Sequence, residues 1–169
     1  RASTVRYRFP ERGELPPVTI TWRDGGRQPP WPDGWPENRQ SPCHGTFLLG
    51  DKHTLVVDQV AENYEWARLV PESLMRSVDQ PPKTLPRIKP GPRWDPTRHQ
   101  QDWLQACKNG KQAGSRFAYS GPLTEMVLLG NVALAAGKPI EWDKKKMEIT
   151  NDADANRLLR REYRQGWNL

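Results

Sequence analysis

The chain has 169 residues, of which 35% are apolar, 17 are Pro and 8 are Trp, and its formal net charge is +6. That length suits one domain with a core and is too short for two of full size. Its longest apolar run is about one buried helix long and holds a Glu, short of the roughly 20 apolar residues of a spanning helix, so no membrane segment is expected.

There is no initiator Met, and no signal peptide with a basic start and an apolar middle. The opening residues RASTVRYRF already alternate like a strand, so the chain reads as a fragment whose upstream region is missing. Along residues 3–9, Val5, Tyr7 and Phe9 point one way and Thr4, Arg6 and Arg8 the other. Residues 17–23 repeat the pattern, with Val18, Ile20 and Trp22 against Thr19, Thr21 and Arg23. The turn residues PERGELP between them predict an antiparallel hairpin. Residues 23–43 hold Gly25-Gly26 and Pro29, Pro30, Pro32 and Pro36, which forbid a ladder. A long irregular loop carrying Trp31 and Trp35 is expected there. GTFLLG (45–50) and HTLVVD (53–58) predict a second tight hairpin around Gly50-Asp51-Lys52, and YEWARLV (64–70) a fifth strand. An antiparallel sheet with one apolar and one polar face follows.

A second Pro-rich connection spans 80–96, and three helices come after it. Asp95-Pro96 reads as the start of the first and Asn109-Gly110 as its stop, with Trp103, Leu104, Ala106 and Cys107 as an apolar side. The second opens near Ser120-Gly121-Pro122 and stops at Gly137-Lys138-Pro139. IEWD (140–143) and MEIT (147–150) read as extended. The last helix starts at the N-cap Asn151, with Asp152 and Asp154 in its first turn and Ala155, Leu158, Leu159 and Tyr163 as its buried stripe.

The chemistry-bearing signals are sparse. Lys144, Lys145 and Lys146 read as a solvated turn, and Arg157, Arg160, Arg161 and Arg164 as cations near a helix C-terminus. No nucleic-acid motif accompanies the Trp and basic residues, so no nucleic-acid partner is expected. Cys43 and Cys107 form no CxxC, and Cys43-His44, His53 and His99 do not complete a tetrahedral set, so no metal is expected. Two cysteines leave the compartment open. GKQAG (110–114) with Ser115 lacks the spacing and the Lys-Ser of a phosphate loop, and GxGxxG, GxSxG and HExxH are absent. The chain therefore lacks a self-sufficient catalytic constellation.

The second helix poses the sharpest question. At ~100° per residue, Thr124 and Asn131 lie within ~20° of each other and Glu125 lies ~100° from Thr124. Two readings stand. Glu125 pairs internally with an Arg while Asn131 ties down a loop, or this polar sector faces a ligand or another domain.

TEMVLLGNVALAAGKPIEWD, then MEITND, then ANRLLRREYRQGW closely resemble the C-terminal domain of bacterial Gfo/Idh/MocA-family oxidoreductases (glucose–fructose oxidoreductase, inositol dehydrogenase and relatives). VTITWRDGGRQPPWP and GTFLLGDKHTLVV fit the same subgroup, so the resemblance runs from Ser3 to Leu169. It implies an α+β fold: an open, mainly antiparallel sheet with about three α-helices packed on one face, and long Pro-rich loops, forming a single substrate-binding and oligomerisation domain over 1–169. It also implies a partner Rossmann domain, N-terminal and absent here, that holds NAD or NADP and the catalytic Lys and Asp/His elements. No catalytic, cofactor or metal residue is then carried by this chain. The implied substrate is a sugar or polyol, and the implied assembly a homo-oligomer. The substrate-facing candidates are Trp22, Arg23 and Asp24 at a strand end, Trp31 and Trp35 on the loop, Arg116 and Tyr119 before the second helix, and Glu125. Against each stands plain packing of the Trp rings and solvation of the Arg23-Asp24 turn.

Overall fold

The computed structural model describes residues 2–36, 44–58, 67–79, 81, 82, 84 and 98–167. They fall into two compact units, one of Arg1–Arg27 with Arg87–Leu169 and one of Gln28–Pro86.

The first unit begins with β1 (Thr4–Phe9) and β2 (Val18–Arg23), paired antiparallel with Val5 opposite Trp22, Tyr7 opposite Ile20 and Phe9 opposite Val18. The alternation of both segments sets this register, because a slip of one residue would turn every apolar side chain to the other face. Val5, Tyr7 and Phe9 are half-buried, whereas Val18, Ile20 and Trp22 on the same face remain exposed.

The second unit is a three-stranded antiparallel sheet of β3 (Gly45–Leu49), β4 (Thr54–Asp58) and β5 (Ala67–Val70), with β4 in the middle. The Gly50 N–H donates to the His53 carbonyl at 3.1 Å and closes the β3–β4 turn. Val56 and Val70 are buried here. A 3-10 turn over Glu72–Arg76 follows, with an Arg68–Glu72 ion pair at its start. Thus the expected single sheet is three separate ones among the described residues, since the last pair of strands also forms its own sheet.

The chain then returns to the first unit. Helix α1 (Arg98–Asn109) ends as expected at Gly110, whose φ of 65° is the left-handed conformation that glycine adopts without strain. The start expected at Asp95-Pro96 lies outside the described residues, as does most of the 80–96 connection. The predicted apolar side of α1 is largely open: Trp103, Leu104 and Cys107 are exposed, and α1 packs on no other described element.

Helix α2 (Phe117–Ala136) begins a turn earlier than the sequence predicts, with Pro122 inside it. The Tyr119 and Ser120 N–H groups both donate to the Arg116 carbonyl at 2.9 Å, and the Ser120 hydroxyl donates to Ser115 O at 3.0 Å. These bonds build a first turn that does not need the missing proline N–H. Gly137 caps the other end in the left-handed region, its N–H on Ala133 O. α2 packs on β1 at Gly130, where an added Cβ would collide with the Tyr7 ring and come within 3.3 Å of Val5 Cγ1. The absent side chain is what permits this close approach.

β6 (Trp142–Asp143) and β7 (Glu148–Ile149) form a short hairpin. Its turn holds Lys144, Lys145 and Lys146, with the Asp143 carboxylate accepting the Lys145 and Lys146 N–H groups at 2.8 and 3.1 Å. The lysine run is a solvated turn, as the sequence indicates.

The third α-helix is a correction. Residues Ala155–Leu159 make one 3-10 turn, and Tyr163 and Leu158 of the expected stripe are exposed. Asn151 does not cap. It accepts the Glu141 N–H at 2.9 Å and donates to Pro139 O at 3.1 Å. Asn156 likewise brackets Ile149, accepting its N–H and donating to its carbonyl, both at 2.8 Å. These side chains are committed to the β6–β7 hairpin, so the helix has no cap and does not propagate. Arg157 lies in the last turn of this 3-10 segment and Arg160 is its C-cap, as expected, whereas Arg164 stacks over Trp167 at 4.4 Å and Arg161 over Tyr163 at 5.9 Å beyond it. Ile149 and Ala155 form the buried core of this corner. No helix of the described residues is long and apolar enough to cross a membrane.

Candidate functional site

The end of β2 carries the most defined polar geometry among the sequence candidates. Asp24 follows the strand and its Oδ1 accepts the Ser3 N–H at 2.6 Å and the Ser3 hydroxyl at 2.9 Å. The backbone bond from Ser3, then its hydroxyl, hold the Asp24 carboxyl below the usual range, so it is ionised at neutral pH. Asp24 also closes the ladder, its own N–H reaching Ser3 O at 3.2 Å. Beside it Trp22 is 60% exposed, and Arg23 is half-buried. A flat apolar ring next to an anionic acceptor is a surface suited to a hydroxyl-rich ring. Ser3 is the residue that sequence reasoning missed, because nothing in its type marks it as the partner of a carboxylate 21 positions away.

Trp31 and Trp35 lie in the second unit. Their rings sit 5.1 Å apart at 34°, and Trp35 in turn meets Phe47 of β3 at 5.8 Å. Trp31 caps this ladder and keeps half of its surface open. Packing and display are thus divided between the two rings.

The α2 candidates separate from one another. Arg116 is at the N-cap position and its guanidinium donates to Gln112. Tyr119 is exposed. Glu125 is half-buried and accepts the Trp142 indole N–H at 2.7 Å, so its partner is a Trp of β6 and not an Arg. Glu125 thus has an internal partner through one carboxylate oxygen. No hydrogen bond or ion pair among the described residues links Arg116, Tyr119 or Glu125 to the Trp22–Asp24 corner.

The Gly-rich approach to α2 does not fit a dinucleotide phosphate. The Gly114 N–H already donates to the Asp102 carboxylate at 2.8 Å, so an anion faces the loop where a phosphate would have to sit. Among the described residues no group of three or more His, Cys, Asp or Glu is arranged to hold a metal ion, and Cys43 lies outside them.

Residues 82–169 match the family model described as the C-terminal alpha/beta domain of the Gfo/Idh/MocA oxidoreductase family. No curated protein matches the chain. The matched stretch holds both α-helices, the β6–β7 hairpin and the 3-10 turn after it. With just over half of its length inside that model, the chain belongs to the Gfo/Idh/MocA oxidoreductase family and carries its C-terminal domain.

Proposed function

We propose that residues 1–169 serve as the substrate-binding and subunit-interface domain of an NAD(P)-dependent oxidoreductase that acts on a sugar or polyol. The observation that carries the reading is the match of residues 82–169 to a C-terminal oxidoreductase domain, which implies an N-terminal partner domain. NAD or NADP belongs to that partner, consistent with the Gly114–Asp102 bond that fills the loop in this chain. The cofactor would supply hydride transfer there. The role of this domain is to bind and orient: the exposed Trp22 ring offers a flat wall, and the Asp24 carboxylate accepts from substrate hydroxyls. Arg23, Arg116 and Tyr119 remain candidates for further polar contacts.

The test is calorimetry of the chain with NAD and NADP, followed by activity of the complete gene product. The chain alone neither binds the cofactor tightly nor turns over a sugar, and tight NAD(P) binding by it would overturn the assignment. In the complete gene product, W22A and D24N raise KM for the sugar or polyol.

A second reading, a free-standing carbohydrate-binding surface, is favoured by the Trp31–Trp35–Phe47 ladder with its open outer ring. Titration of oligosaccharides against Trp fluorescence separates the two. Saturable tight binding abolished by W31A supports the ladder, and weak binding supports the half-pocket.

A further inference from the structure

Residues 157–167 carry more positive charge than the structure neutralises, with four arginines against the single Glu162. Arg157 has a partner, Asp154 Oδ1 at 3.6 Å. Arg160, Arg161 and Arg164 are exposed and form no ion pair among the described residues. Two of these three are placed over aromatic rings. Arg164-Gln165-Gly166-Trp167 is a β-turn, closed by the Trp167 N–H on Arg164 O at 3.1 Å. Gly166 has a φ of 86°, the left-handed value that such a turn needs at its third position. The turn brings the Arg164 guanidinium over the Trp167 ring at 4.4 Å, and Arg161 stands 5.9 Å over the Tyr163 ring. Cation–π attraction restrains each guanidinium while its N–H donors stay available to an oxyanion. The rings remain open as well, Tyr163 at 51% and Trp167 at 57% exposure.

We propose that residues 160–167 form a saccharide site selective for a sugar bearing an oxyanion substituent, a carboxylate or a sulfate. Arg161 and Arg164 donate to the oxyanion, and the exposed surface of Trp167 and Tyr163 takes the apolar face of the sugar ring. A neutral sugar would leave the guanidinium groups unmatched. A bare phosphate or a duplex backbone would use those groups and leave the rings idle. The chemistry is opposite to that of the Trp22–Asp24 corner, where a carboxylate accepts hydroxyls and repels an acidic group. The inference rests on the sugar part of the proposed function and names a substrate class for it. It is read as glycan binding without cofactor or turnover, so it fails separately from the W22A and D24N result.

Calorimetry of the chain tests it, with an oligogalacturonate, a sulfated oligogalactan, a neutral oligogalactan and a single-stranded oligonucleotide as probes. At least one acidic oligosaccharide binds, and which one names the oxyanion. The neutral probe binds at least about tenfold more weakly, as expected when charge-assisted hydrogen bonds are lost. R164K keeps the charge but loses the planar fork, and weakens acidic-sugar binding about tenfold. G166A keeps every charge and ring. Nothing lies within 4 Å of its new Cβ, so it acts through the strained turn and also weakens binding. Circular dichroism checks that both variants fold. Failure of both acidic probes overturns the proposal, as does equal binding of the neutral probe. Equally tight binding of the oligonucleotide would reduce the site to a cationic surface and overturn it too. So would wild-type affinity in both variants, or loss of the binding in the complete gene product.

Discussion

The Trp142 indole N–H donates to the Glu125 carboxylate at 2.7 Å, tying the single acid of α2 to β6 across 17 positions of sequence. The bond divides the polar residues of the helix. Glu125 is half-buried, while Thr124 and Asn131 remain exposed.

Breaking this bond from the donor side leaves a half-buried carboxylate without its partner. W142F is expected to lower stability by about 1–3 kcal/mol. E125Q keeps a carbonyl acceptor for the indole and costs less. Urea denaturation followed by circular dichroism measures both, and equal losses would show that the contact is mere packing.

Gly130 and Tyr7 set the spacing of α2 on β1. In an open helix Gly→Ala would gain up to about 1 kcal/mol. Here the new methyl meets the Tyr7 ring and Val5, and overpacking of this kind costs about 1–3 kcal/mol. G130A is therefore destabilising overall. Its penalty shrinks in a Y7F background, where the hydroxyl is gone. A double-mutant cycle by thermal melting reads the coupling, and strict additivity would refute the contact.

Acid sensitivity follows from two carboxylates. The Ser3 backbone N–H and hydroxyl depress Asp24, and the hydrogen bond from Lys138, 2.8 Å away, depresses Asp152. A depressed carboxyl contributes stability above its unfolded-state pKa and loses it as pH falls through the lower folded value. Lys138 is raised by the same bond, so its contribution fades only at alkaline pH, as pH rises through the raised value. Denaturation midpoints should thus be flat near neutrality and fall on acidification. D24N and D152N each flatten that acid limb, and a wild-type slope in both variants would disprove the assignment.

In the Gln28–Pro86 unit, Trp35 touches two rings and Trp31 one. At about 0.5–1.5 kcal/mol per aromatic pair, W35A should cost roughly twice what W31A costs. Chemical denaturation followed by circular dichroism ranks them, and the reverse order would contradict the ladder.

Much of the fold is legible in short stretches. Val5, Tyr7 and Phe9 against Val18, Ile20 and Trp22 specify a hairpin and its register, and the structure has both. Gly110 and Gly137 stop their helices because each takes a left-handed φ. The candidate site is legible only in part. Trp22 and Asp24 are named by type and by their place at a strand end, but Ser3, which fixes the carboxylate, is not. Pro122 misplaces the start of α2, because the bonds to Arg116 and Ser115 outweigh the expected position of a helix-initiating proline.

The sequence by itself determined the strand pairs, the helix stops and the family, since each depends on period, on backbone freedom or on motifs contiguous along the chain. Only the tertiary structure decided which arc of α2 is inner, because a helix apolar all round carries no directional signal until β1 and the 155–159 turn cover one side. It also decided the partner of Glu125 and the fate of Asn151 and Asn156. Those polar groups form hydrogen bonds with residues 7 to 17 positions away, and local propensity cannot weigh a bond whose other half arrives by folding.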